Sequence, residues 1–451
     1  MEHVDSTVIS TSLPAIAADI GTDPIALKLA LTAYLVALAI FIPISGWMSD
    51  RYGARNVFRL AILAFVLGSI GCAFSNSLHT FVASRFFQGM GASMMTPVGR
   101  LLLVRTTPRN ELVSAMAWLT IPALIGPMVG PPIGGALTTW LSWHWIFWVN
   151  VPIGLLGVAL ATRFLPAAVE PDPRPIDAVG FLLCAVAFSG LVFGLSVISL
   201  PAVPIMYGYI TLGLGVVAGI LYLFHVRRTA HPLLDPALLR HRLFRATLIG
   251  GSLFRIAHGA IPFLLPLMLQ LGFGLSPFES GMITFVSAVG AFASKFMARR
   301  VFAAFGFRTA LSVAAVGSCA FVALNGFYTA ATSTWLIMTT LLLGGLLRSI
   351  MFTGSNALAY GDIEDSNVSQ ATALNAVFQQ LTVALAVAVA GGILEVSSAL
   401  RGGELALADF HIAFFTIAAI GAFAAVPFLM LPHNAGSDMS GHGPASQTAN
   451  P

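Results

Sequence analysis

Charge is what this 451-residue sequence has least of. Only 9% of its residues are Asp, Glu, Lys or Arg, 57% are hydrophobic, and the mean hydropathy is +0.88. Soluble domains average about 25% charged and about 45–50% apolar residues, so a soluble domain is excluded and a polytopic membrane protein remains. Cysteine is scarce too: Cys72, Cys184 and Cys319 lie in separate apolar runs, which excludes a disulfide framework or a cysteine metal set and leaves them as small packing residues. No basic stretch followed by a small-residue cleavage site precedes the first apolar run, so no cleavable signal peptide is expected. HExxH, GxSxG and Walker patterns are missing, which argues against an intramembrane enzyme and against ATP-driven pumping by this chain. A repeated filter element, the mark of a channel, is missing as well. The net charge of +4 sits in loops and is no nucleic-acid signal.

What is present is a succession of apolar segments. Fourteen can be drawn, at roughly 1–20, 27–48, 57–75, 79–104, 112–140, 143–165, 178–198, 205–226, 246–270, 279–301, 308–329, 335–357, 371–397 and 410–431. Most have the length of about 20 residues that a spanning helix needs, whereas barrel strands would be about ten residues with alternating polarity. The first is short for a span, with Glu2, His3 and Asp5 at its start, and reads as a truncated helix whose Met1 is an internal methionine. If the polar turn at 46–55 is cytoplasmic, fifteen basic loop residues from Arg51 to Arg308 fall on its side, against Lys28 and Arg401 on the other. That bias orients the chain and puts the tail after 431 in the cytoplasm. The tail, rich in Gly, Ser and Pro, reads as disordered.

The turn itself reads Gly46-x-x-x-Asp50-Arg51-x-Gly53-x-Arg55. Asp50 can pair with an arginine at a neighbouring helix end, and Gly53 permits a positive φ. A fragment of it recurs as Gly306-Phe307-Arg308, with Ala303 where Asp50 would stand. The fourth segment carries Arg85-x-x-Gln88-Gly89-x-Gly91-Ala92, and the fifth carries Gly126-Pro127-x-x-Gly130-Pro131-x-x-Gly134-Gly135. Glycines at four-residue spacing share one helix face and allow close approach. Taken with Asp5-Ser6-Thr7 before Leu13-Pro14, and Trp143-His144-Trp145-Ile146-Phe147 before Asn150-Val151-Pro152, these motifs resemble the major facilitator superfamily. Within it they resemble the fourteen-helix drug:proton antiporter branch of the EmrB/QacA type, and Gly99-Arg100-Leu101 with Ser142-Trp143-His144-Trp145 brings the chain nearer to the MdtD-like exporters.

The resemblance implies an all-α fold of two six-helix bundles plus an inserted two-helix hairpin. The corresponding boundaries are 1–165 and 246–431 for the bundles, 176–228 for the hairpin, 166–175 and 229–245 for linkers, and 432–451 for the tail. It also implies that Gly46, Asp50, Arg51, Gly53 and Arg55 form a cytoplasmic latch holding the outward-facing state. Gly126, Pro127, Gly130, Pro131, Gly134 and Gly135 are expected to seal against the other half of the molecule.

Ionisable groups inside a bilayer are costly and generally face a cavity. Arg85, Arg255 and Arg348 lie seven or more residues inside their segments, while Arg100 and Lys295 sit nearer the ends and are expected to snorkel. Asp5 is the one acid at comparable depth, the match to the family's first-helix motif, and the leading candidate for proton coupling. Three deep arginines with a single deep acid suit an organic anion or a zwitterion, because the guanidinium is a planar, permanent cation. His258 follows Arg255 by three residues on one face and is a candidate switch. Gln88, Asn356, Asn375, Gln379 and Gln380 either line the cavity or tie helices together.

The resulting expectation is a proton-coupled antiporter that exports small molecules across the bacterial cytoplasmic membrane by alternating access, with a lipid or glycolipid exporter and an importer as alternatives. It is not expected to be an enzyme and needs no cofactor or metal, the proton gradient being its energy source. Its partners are the substrate, protons and the lipid bilayer, with no nucleic acid. A monomer is expected, with accessory envelope proteins left open.

Overall fold

The computed structural model describes residues 5, 9, 12, 15–22, 27–166, 175–199, 204–402 and 405–442. For 28, 122–133, 135, 139, 199 and 277 the description covers the backbone alone. Among the described residues every regular element is helical. In chain order they are α1 (Lys28–Phe41), α2 (Ser45–Tyr52), α3 (Ala54–Ala73), α4 (Leu78–Thr106), α5 (Leu112–Trp140), α6 (Trp145–Phe164), α7 (Ala178–Ser199), α8 (Ile205–Val226), α9 (Arg242–Gly272), α10 (Pro277–Asn325), α11 (Thr334–Leu358), α12 (Val368–Leu400), α13 (Leu407–Leu429) and the single turn α14 (Ser437–Ser440). Residues 15–20 are helical ahead of α1.

Nine of these helices are long and apolar enough to cross a membrane, or ten if the α1–α2 pair counts as one span bent by 56°. The bend falls at Pro43, between the two helices, where the ring removes a backbone donor. α4 and α5, at 29 residues each, also have the length of a span. α10 must hold two spans. At 49 residues a straight helix would measure about 73 Å, against a hydrocarbon layer of about 30 Å, and Gly306 breaks it with φ 68° and ψ 165°. Gly53, between α2 and α3, has φ 83°. The two glycines of the repeated fragment thus share the left-handed region open to a residue without Cβ. The expected fourteen spans are not reached among the described residues, since most of the first segment lies outside them.

Contacts divide the chain into two compact units. The first comprises Met1–Thr106, Ile125–Pro236 and Glu364–Ala384; the second comprises Thr107–Leu124, Ala237–Ile363 and Leu385–Pro451. In the first unit Asp5, Ile9, Ser12 and Ile16, at helical spacing, are all buried. Ile9 and Ile16 pack with Phe81, Trp143 and Phe147, whose rings meet edge to face at 5.7–6.1 Å. α3 and α4 touch backbone to backbone at Gly68, where a Cβ would lie 2.5 Å from the Cα of Gln88. α7 and α8 pair with each other and expose Leu182, Leu214 and Leu221 on their outer faces, as lipid-facing surfaces do. The core of the second unit gathers Leu264, Met268, Phe410, Phe414 and Ile417 from α9 and α13.

Part of the tail read as disordered is folded. Gly436 takes φ 67°, α14 follows, and Met439 and Ser440 are buried. The His442 ring nitrogen Nδ1 meets the Ala303 carbonyl at 2.9 Å. Composition suggested disorder, but Leu431, Ala435 and Met439, each buried, supply enough apolar surface to anchor the stretch through His442.

Candidate functional site

Asp5 and Arg85 meet in the first unit. Arg85 Nη1 donates to Asp5 Oδ2 at 2.6 Å, and both side chains are essentially without solvent exposure. Asp5 Oδ1 accepts from Gln88 Nε2 and Asn150 Nδ2, each at 3.0 Å. Gln88 and Asn150 also donate to Ser69 Oγ, at 2.6 and 3.3 Å. Arg85 Nη1 reaches Gln88 Oε1 at 2.5 Å, and its guanidinium lies 4.4 Å from the Tyr34 ring centroid. Arg85 and Gln88 share one face of α4 because they are three residues apart. Ser69 is brought to them by the close α3–α4 approach at Gly68. The arrangement satisfies a buried carboxylate with one cation and two amides, which is the condition for tolerating such a charge.

The turn at 46–55 joins three elements of the first unit. Asp50 Oδ1 accepts from Arg105 Nη2 at the end of α4 at 2.9 Å, in a partly exposed pair. Its Oδ2 accepts from Ser369 Oγ at the start of α12. A Cβ on Gly46 would lie 2.8 Å from the Ser369 carbonyl oxygen, so α2 and α12 approach as closely as a glycine allows. Arg55 donates to the Leu165 carbonyl at 3.3 Å, and Arg51 is exposed.

The second unit holds cations of another kind. Arg255 is buried, with Nη2 3.4 Å from Asn356 Oδ1 and its guanidinium 5.7 Å from the Phe352 ring centroid. His258 stacks on Phe254 at 3.9 Å between ring centroids, and its Nδ1 faces the Phe254 carbonyl at 3.1 Å. His258 Nε2 is buried without a hydrogen-bond partner among the described residues. Lys295 Nζ donates to Thr353 Oγ1 at 2.7 Å. Arg348 is half-buried and acts electrostatically on both His258 and Lys295. Three acids of this unit are engaged elsewhere: Asp409 with Arg401 and Ser397, Asp362 with the amides of Leu243 and Phe244, and Glu279 in the capping box of α10.

The sequence candidates therefore fall into three groups of contacts: Asp5 with Arg85 and Gln88, Arg255 with Asn356 beside His258 and Arg348, and Gln379 with Arg100, whose Nη2 lies 3.4 Å from Gln379 Oε1. Arg100 is buried and Lys295 is bonded inward, so neither snorkels as its distance from a helix end suggested. Gly126, Pro127, Gly130, Pro131 and Gly135 lie outside the described side chains; the helix runs through them, and Gly134 is buried. Sequence reasoning missed Asn150 as a partner of Asp5, Ser69 as the acceptor shared by Gln88 and Asn150, and Ser369 as a partner of Asp50, while Arg105 is the arginine of a neighbouring helix end expected there. Asn150 could have been found by asking of amides in apolar runs what was asked of charges.

The family model described as Major Facilitator Superfamily matches residues 1–238 and 247–447. "Putative multidrug resistance protein MdtD" of Salmonella dublin is 34% identical over 449 residues, covering 97% of this chain and 94% of the relative. The protein of that name from Enterobacter sp. (strain 638) is 33% identical over 436 residues, covering 95% and 91%. Among solved structures, the human organic anion transporter MFSD10 (TETRAN) superposes with TM-score 0.67 at 16% identity, over 94% of this chain and 96% of that one. The proton:xylose symporter XylE does so with TM-score 0.64 at 14% identity, over 96% and 94%. At such identities the two structures speak for the fold alone.

Proposed function

Because the chain belongs to the major facilitator superfamily, we propose that it is a proton-coupled efflux antiporter exporting small molecules across a bacterial cytoplasmic membrane, with its C-terminus inside. The observation that carries the reading is the buried Asp5–Arg85 pair, together with the name of relatives one third identical along nearly the whole chain. Arginine keeps its charge at any accessible pH, so Asp5 is the member that can take a proton. Protonation removes the countercharge from Arg85 in a buried site, and an unpaired buried cation is strongly unfavourable. A proton on Asp5 thus favours another arrangement of α4. That is the coupling an alternating-access exchanger needs. In the same reading Asp50, Arg105 and Ser369 form a latch on the cytoplasmic side, a partly exposed set that can open at modest cost. Two six-helix halves with an inserted hairpin, and a monomer, complete it.

The test is transport in proteoliposomes with an imposed pH difference. Proton-driven movement of a multidrug panel against its gradient is expected. Asp5→Asn should abolish the pH dependence while leaving substrate exchange without a gradient. An Asp5→Asn protein still driven by the gradient overturns the assignment.

The substrate class proposed is an organic anion or a zwitterion. It is supported by Arg255, Lys295 and Arg348 in one unit, three of whose acids are bonded elsewhere. Uptake into inverted vesicles of anionic and cationic compounds by Arg255→Ala and Arg348→Ala variants decides it; unchanged anion handling in both sinks it.

A further inference from the structure

A cavity of about 240 Å³ opens in the second unit between the first turns of α5 and the stretch of α10 before Gly306. Ser114 and Trp118 line it from α5; Lys295, Phe296, Arg299 and Arg300 line it from α10. No carboxylate lines it. Lys295 reaches Thr353, while Arg299 and Arg300 are exposed and make no ion pair among the described residues. Trp118 is 64% exposed and Phe296 61% exposed, so the walls beside the cations are apolar and aromatic. The volume is below the range of about 300–1,000 Å³ typical of drug-sized ligands. It suits a compact anionic group rather than an exported drug.

Position narrows the ligand further. Arg299 and Arg300 end the span before the turn at Gly306 and belong to the fifteen loop cations of the positively charged side. Basic pockets between spanning helices at that level hold anionic headgroups, and exposed Trp and Phe at the same level sit among acyl chains and glycerol backbones. We infer that this cavity holds the phosphate head of an anionic phospholipid from the inner leaflet, the acyl chains lying over Trp118 and Phe296 between α5 and α10. The lipid is a bound partner of the second unit. The site shares no residue with the Asp5–Arg85 network, and Lys295, which it has in common with the cations behind the proposed substrate class, is left unchanged in the test below.

The probe is phosphatidylglycerol against phosphatidylcholine, with retention read by native mass spectrometry of the full chain released from nanodiscs of each lipid. The wild-type protein should retain phosphatidylglycerol preferentially, and raising the salt should reduce retention. Arg299→Gln/Arg300→Gln changes two exposed side chains and should lower retention about twenty-five-fold, about fivefold per cation. Equal retention of both lipids by the wild type, or no loss in the double variant, overturns the inference. Displacement by free glycerol phosphate at concentrations comparable to the lipid also overturns it, since the site would then take a soluble anion.

Discussion

Arg85 and Arg255 are both buried guanidinium groups on long helices, yet they live in opposite surroundings. Around Arg85 a carboxylate, two amides and an aromatic face close a network in which the positive and negative charges match. Around Arg255 stand the Asn356 amide and the Phe352 ring, with His258 one helical turn further along α9. The first arrangement pairs its cation with a carboxylate, the one member able to take up a proton. The second sets its cation against a neutral amide and an aromatic ring. In the function proposed above, the contrast assigns energy coupling to one unit and substrate recognition to the other.

The comparison breaks most severely if Arg85 is truncated. Arg85→Met should destabilise the protein by about 3–5 kcal/mol, because Asp5 is left charged and buried. Thermal unfolding in detergent measures it, and adding Asp5→Leu should restore most of the loss. If Arg85→Met is tolerated, the network is not a closed charge pair. Next in size is Arg255→Ala, with an expected loss of about tenfold or more in anion export, of the order of 1.4–3 kcal/mol for a lost charge-assisted contact. Stability should change less than for Arg85→Met, since the contact of Arg255 to Asn356 involves a neutral amide. Equal destabilisation by the two would erase the distinction drawn here. A smaller effect is expected at Asp50→Asn. The partly exposed pair with Arg105 contributes about 0.2–1 kcal/mol, so cytoplasmic accessibility of a cysteine placed near Ser369 should rise a few-fold, and less so at high salt.

The sequence made the charges legible and left their partners dark. Asp5, Arg85 and Arg255 stand out because a charge in an apolar run is rare and expensive. Which charge meets which depends on helix depth and rotation, and the weak periodicity of lipid-facing helices does not reveal these. Asp5 and Arg85 are eighty residues apart, and Asn150 comes from a third helix. The turn at 46–55 was readable as a turn because Gly53 and its neighbours cannot lie in hydrocarbon; that Asp50 bonds Ser369, 319 residues later, was not. Arg100 and Lys295 were misjudged because distance from a helix end says nothing about whether Gln379 or Thr353 is waiting nearby. The tail was misjudged because glycine and serine counts outweighed a few apolar anchors.

Gly306 governs more than the shape of one helix. A side chain there would be forced into the left-handed region at about 1–2 kcal/mol, while a straight path would prolong the segment to more than twice the depth of the oil. During insertion this residue therefore acts as the point of return, sending the next stretch back through the bilayer and keeping Arg299, Arg300 and Arg308 at a single interface. Every loop after it inherits its side of the membrane from that one angle.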